Sequence, residues 1–171
     1  MESPRSIAIA AILGSLYFVI TVLLGPLSFD VIQVRISEAL KVLIPIFGIP
    51  GFTGIIIGMF LANIFSPLGP IDLISPFVAI AALIPLYMLR NKGWKGILAG
   101  CLIYTAAITT WVAFILNYVL GLPFAINWFL VLIGEAIAIF GLGIPVYKAV
   151  NKYLMPWLEP PSQNANNGGT G

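Results

Sequence analysis

Long apolar runs alternate with short breaks rich in Gly and Pro along almost the whole of this 171-residue chain. The first run, Ile7 to Leu24, is about long enough to cross a hydrocarbon core, and Gly25-Pro26-Leu27-Ser28-Phe29-Asp30 ends it with turn chemistry. A second helix is expected from about Ile32 to Phe47, interrupted by Pro45, before Gly48-Ile49-Pro50-Gly51 turns the chain. A third runs from Phe52 to about Phe65 and stops at Ser66-Pro67-Leu68-Gly69-Pro70, which no helix can cross. Asp72 opens a fourth helix through Leu89, its carboxylate suited to the positive N-terminal end. The fifth spans Gly96 to about Leu120, and Gly121-Leu122-Pro123 turns it. The sixth spans Phe124 to about Val150, with a kink expected at Pro145.

This pattern predicts an all-α integral membrane protein of six transmembrane helices, a single domain over residues 1–155. The Pro-, Asn- and Gly-rich tail, residues 156–171, reads as disordered. Composition agrees: 60% of residues are apolar and 8% charged, which excludes an ordinary soluble fold. A single Cys and no His exclude an intrachain disulfide, a Cys/His metal site and the commonest general base. A net charge of +2 leaves no nucleic-acid footprint. No P-loop, nucleophile elbow or zinc-protease motif occurs.

The placement of charge is more telling than its sum. With six spans, Arg5, the loop cations Arg90, Lys92 and Lys95, and the late pair Lys148 and Lys152 share one side. That is six of the eight basic residues, and it predicts a plasma-membrane protein with both termini in the cytoplasm. The polar groups within the spans then gather in the outer half. Glu38 falls about 9 Å below its helix start and Glu135 nearer the midplane, at about 1.5 Å per residue. Gln33, Asn63, Asn117 and Asn127 fall at outer helix ends. Amide caps explain any one Asn, but the joint pattern suggests a polar cavity open to the outside. The three outer loops, each holding Gly or Ser with Pro, serve either as lids or as tight hairpins. Trp94 and Trp157 suit the inner interfacial belt; Trp111 and Trp128, in the outer half, suit either a lipid anchor or a stacking face for a flat ligand.

The stretch Gln33-Val34-Arg35-Ile36-Ser37-Glu38-Ala39-Leu40 is the costliest in the chain for a membrane to accept. Arg35 and Glu38 share a helix face and Lys41 follows at the next step of three. Such groups either lock helices together or line a site. In the first helix, Ala10 with Gly14 and Ala11 with Ser15 form small-xxx-small pairs, which allow close approach of an internal helix or of a partner.

The Arg-x-Ser-Glu-Ala-Leu run with Pro45 resembles the hallmark of the QueT family, the substrate-binding (S) components of energy-coupling factor (ECF) transporters linked to queuosine precursors. Gly58 with Asn63, Asp72 after its short loop, Tyr17 behind the small residues of the first helix, Asn117 to Phe124, and Gly134-Glu135 fit the same family, so the resemblance covers residues 7 to 150. It implies an ECF S-component-like bundle that binds substrate from outside and docks on a transmembrane coupling subunit. Two partner ATPases use the ATP, this chain binds no cofactor, and the S component topples to release substrate inward. The implied substrate is a 7-deazaguanine or related precursor. Glu38 and Glu135 would accept its N–H donors, Arg35 and Gln33 would donate to its carbonyl, and Trp111 would stack on its face. Asp72 would face an aminomethyl cation, and Asn63 and Asn117 complete the candidate site. Ala10, Ala11, Gly14 and Ser15 would dock the partner. Rival readings are a stand-alone secondary transporter with Glu38 and Glu135 as proton sites, a scaffold whose polar groups only hold helices together, and, least supported, an intramembrane enzyme.

Overall fold

The structure is a computed structural model that describes residues 3–28 and 35–158, and those residues are helical throughout apart from short connections. Helix α1 spans Pro4–Leu23, with Ser3 as its N-cap: the Ser3 hydroxyl accepts from the Ser6 amide at 3.3 Å. The short α2 turn, Gly25–Ser28, follows. A 3₁₀ segment, Ile36–Leu43, leads into α3, Ile44–Asn63. A second 3₁₀ segment, Gly69–Ile74, leads into α4, Ser75–Met88. Then come α5, Gly93–Leu120, and α6, Phe124–Ala136. From α6 the helix continues without a break through a π-helical stretch at Ile137–Gly143, α7 at Ile144–Ala149, a second π stretch at Val150–Leu154 and α8 at Met155–Leu158. The helix thus passes the point at Pro156 where the sequence suggested a disordered tail. Residues 159–171 lie outside the described residues, as do Asp30 and Gln33.

Among the described residues, four helical stretches are long and apolar enough to cross a membrane: Pro4–Leu23, Ile36–Asn63, Gly69–Leu120 and Phe124–Leu158. Their outward faces carry large apolar side chains open to the surroundings, among them Ile12, Ile57, Leu102 and Phe129. A water-soluble bundle would bury that much oil, whereas lipid leaves no reason to. Two of the four stretches are broken internally. Gly48 sits at φ 63°, ψ −138°, outside helical space and in a region where a side chain would strain the backbone. Gly93, at φ 67°, divides the third stretch in the same way.

Contacts fix the direction of each helix. A Cβ built on Gly54 would lie 2.2 Å from the Ala10 carbonyl oxygen, and one on Gly58 would lie 2.3 Å from the Gly14 carbonyl oxygen. Rising numbers in α1 therefore meet rising numbers in α3, and the two helices run parallel with their backbones touching. Phe60 with Phe77 and Phe52 with Tyr87 make α3 and α4 antiparallel. Gly100 against Leu86 and Gly96 against Leu89 do the same for α4 and α5. The Trp128 indole donates to Thr110 Oγ1 at 3.1 Å, which registers α5 against an antiparallel α6. The 36–43 segment is wedged among α1, α3 and the 137–143 stretch, where a Cβ on Gly143 would lie 2.5 Å from Val42 Cγ2.

The π-helical stretch has a local cause. Pro145 offers no N–H to the preceding turn, and its ring crowds the carbonyl four residues earlier. The turns before it widen into the π-helical stretch Ile137–Gly143.

Candidate functional site

Two buried polar chains tie the helices together at the end of the bundle where α3 finishes and α4 and α6 begin. The first is built on the 36–43 segment. Glu38 and Lys41 are 1% and 0% exposed, and Lys41 Nζ lies 2.7 Å from both Glu38 oxygens. Tyr17 of α1 donates to Glu38 Oε1 at 2.5 Å, and Tyr104 of α5 donates to Oε2 at 2.6 Å. Lys41 also donates to the Tyr104 hydroxyl. One turn further along α1, the Thr21 and Ser37 hydroxyls share a hydrogen bond of 2.6 Å. Lys41 thus makes a buried ion pair with Glu38, a pairing that the sequence reading did not single out. Arg35 is buried and stands just before the segment with extended backbone, within electrostatic reach of Asp72, Glu38 and Glu135.

The second chain joins α3, α4 and α5. Asn63 Nδ2 donates to the Asp72 carbonyl at 2.9 Å. The Ser75 hydroxyl donates to Asp72 Oδ1 at 2.5 Å, and the Trp111 indole N–H donates to Ser75 Oγ at 2.8 Å. Trp111 is half-buried, and its ring stacks on Phe114 with centroids 5.9 Å apart. Asp72 itself is buried in the turn before α4 rather than standing at the outer surface.

Other buried polar atoms on these helices have no partner. Among the described residues, Asn63 Oδ1, Asp72 Oδ2, Thr105 Oγ1, Thr109 Oγ1, Asn127 Nδ2 and Glu135 Oε2 are buried without a hydrogen bond. Leaving one such atom unpaired costs about 1–3 kcal/mol, so each calls for a partner that the described side chains do not supply. The antiparallel register set by Trp128 and Thr110 brings Glu135 level with the turn that holds Tyr104 and Thr105. Thr105 and Thr109, four residues apart, share a face of α5. Elsewhere the helix threonines return their hydroxyls to the backbone, as Thr110 does to the Ala106 carbonyl at 2.8 Å. Thr105 and Thr109 do not, and neither stood out in the sequence, because a threonine in an apolar helix normally bonds its own backbone.

Of the sequence candidates, Arg35, Glu38, Asn63, Asp72 and Glu135 are buried and brought together here, with Trp111 at the edge. Gln33 lies outside the described residues. Asn117 stands apart: it is exposed, and its side-chain amide donates to the Leu122 carbonyl at 2.7 Å, capping the end of α5 beside the left-handed Gly121. Trp128 packs edge-on against Phe129 and bonds Thr110 on the outward side of the bundle, which favours the anchoring role.

The small residues of α1 divide in two. Gly14 is buried in backbone contact with α3, and the Ala10 backbone meets Gly54, so this pair serves internal packing. Ala11 and Ser15 are exposed and line a groove between α1 and α3 with Ala10, Thr53 and Ile57.

A bundle of lipid-facing helices that encloses charged and amide side chains at one end is the architecture of a multi-pass membrane transport protein. The chain matches the family model described as QueT transporter over residues 7–152, and it belongs to that family. No curated protein and no solved structure matches it.

Proposed function

We propose that this chain is the substrate-capturing S component of an ECF importer for queuosine precursors of the 7-deazaguanine type. Membership of a transporter family supports the transport role, as does the buried polar end of the bundle. The observation that carries the reading is Glu135: a carboxylate 3% exposed inside an apolar bundle, with Oε2 unpaired and five further unpaired polar atoms around the same end. A deazaguanine edge presents adjacent N–H donors that a carboxylate accepts as a pair. Its carbonyl suits a donor such as Arg35 or Asn127, and a cationic aminomethyl arm suits Asp72. Trp111, tied to Asp72 through Ser75, would offer a ring edge. Such a site rejects analogues lacking those groups, because its own polar atoms then stay unpaired.

In this reading the breaks at Gly48 and Gly93 are loops, and the chain crosses the membrane six times. The parallel run of α1 and α3 supports this, with the 36–43 segment packed against both. Both termini are then cytoplasmic, and the polar end opens outward. The groove holding Ala11 and Ser15 docks the coupling subunit, two ATPases supply the energy, and this chain performs no catalysis of its own. Calorimetric titration of the purified chain with a 7-deazaguanine bearing an aminomethyl group tests the substrate. Saturable binding is expected; heats no larger than dilution would refute the substrate class. Uptake by vesicles holding this chain alone would instead favour the stand-alone transporter with Glu38 and Glu135 as proton sites.

A further inference from the structure

Glu38 is the carboxylate that the sequence motif brings forward, yet its acceptor capacity is already full. A carboxylate offers about four lone-pair sites on its two oxygens. Oε1 accepts from the Tyr17 hydroxyl at 2.5 Å and from Lys41 at 2.7 Å. Oε2 accepts from the Tyr104 hydroxyl at 2.6 Å and from Lys41 at 2.7 Å. Lys41 is equally committed: its ammonium bonds both oxygens and the Tyr104 hydroxyl. It also lies 4.7 Å from the Tyr104 ring centroid, 5.3 Å from that of Tyr17 and 3.6 Å from Met59 Sδ. Tyr17, Lys41 and Tyr104 are wholly buried. Glu135 Oε2, by contrast, has no hydrogen-bond partner among the described residues.

We propose that Lys41 is a built-in counter-ion that withdraws Glu38 from the ligand, so that Glu38 and Lys41 position the site while Glu135 reads the ligand. The four side chains clamp the 36–43 segment between α1 and α5. The clamp fixes the start of that segment, where Arg35 sits, and the Tyr104 turn of α5, with which Glu135 is level. Glu38 and Lys41 are therefore positioning residues, and their charges matter to each other rather than to the substrate. This assignment rests on the capture function proposed above.

The test compares Lys41→Met, Glu38→Gln and the double variant Glu38→Gln/Lys41→Met in the purified full-length chain. Melting is followed without ligand, and binding is followed by titration with 7-aminomethyl-7-deazaguanine. Each single change strands a buried partner, so each lowers the melting temperature and weakens binding by roughly tenfold or more. The double variant strands no charge; it regains the parent's melting temperature and binds within about fivefold of the parent, a strongly non-additive result. A double variant that melts like the parent but binds about a hundredfold more weakly makes Glu38 a direct ligand contact and overturns the proposal. A Lys41→Met chain that melts and binds like the parent overturns it as well. If the parent itself binds no deazaguanine, the capture reading fails separately. The clamp is then judged by melting alone, where recovery in the double variant supports it and additive loss refutes it.

Discussion

Glu135 carries the sharpest expectation of any single residue. It is buried, its Oε2 has no partner, and no Lys or Tyr hydrogen-bonds it as they do Glu38. Glu135→Gln keeps the volume and removes one charged acceptor, so binding of a deazaguanine should weaken by about 2–3 kcal/mol with little change in melting temperature. Titration with melting curves alongside checks it; unchanged affinity would remove Glu135 from the site. A second expectation concerns Thr105 and Thr109, whose hydroxyls are buried and unpaired. Changing either to Val removes an unsatisfied oxygen at nearly constant volume. Stability of the empty protein should hold or rise by up to about 1 kcal/mol while ligand affinity falls. A large loss of stability would mean that the hydroxyl is satisfied in the empty protein. At this scale the sequence marked Arg35, Glu38 and Lys41 as costly in lipid without showing that Lys41 pairs with Glu38. Arg35 and Lys41 are both three residues from Glu38, and an ideal α-helix does not decide between them. The segment is 3₁₀, in which side chains three apart eclipse, and Arg35 precedes it at φ −81°, ψ 93°. Lys41 therefore stacks on Glu38.

The contact of α1 with α3 shows how small residues act when the helices are parallel and nearly touching. Gly14, Gly54 and Gly58 have backbone oxygens where a Cβ would go, and backbone cannot yield as a flexible side chain can. Gly58→Leu should therefore cost roughly 3 kcal/mol or more, at or above the usual penalty for overpacking, and it should weaken ligand binding through the displaced Tyr17. Ser15→Leu falls on the exposed edge of the groove. It should leave melting and ligand binding of the isolated chain unchanged while reducing uptake by the assembled importer. Uptake equal to that of the parent would move the docking surface elsewhere. The helices themselves were legible, because apolar runs and Gly/Pro punctuation mark helices in lipid as they do in water. Three features were less so. The Ala10 and Gly14 spacing announces a close approach but not to which surface. The 3₁₀ character of residues 36–43 and of 69–74 follows from packing rather than from composition. The widening before Pro145 spreads over a whole turn and more, where the sequence suggested a point kink.

Across the whole molecule, the directions of the helices give one consistent serial order, and the placement of the cations predicts which end faces the cytoplasm. Native Cys101 is buried, so single cysteines at surface positions report cleanly. Pro67 and Ala125, both exposed, lie at the polar end, and Asn91, also exposed, lies at the basic end. Cysteines at Pro67 and Ala125 should react with an impermeant thiol reagent added outside intact spheroplasts, and one at Asn91 should react only after lysis. Labelling of Asn91 alone from outside would invert the orientation and put the polar end in the cytoplasm. The candidate site was partly readable for a related reason. Ionisable groups are so disfavoured in lipid that their mere presence points to a cavity or a pair, but only the fold shows that Glu38 is paired with Lys41 while Glu135 Oε2 is buried without a hydrogen bond among the described residues. The most direct measurement is a calorimetric titration of the purified chain and its Glu135→Gln variant with 7-aminomethyl-7-deazaguanine. Capture at the polar end predicts one saturable site in the parent and a loss of roughly 30-fold or more in the variant, the equivalent of about 2 kcal/mol. Equal affinity in the two proteins, or no binding by the parent, would contradict it.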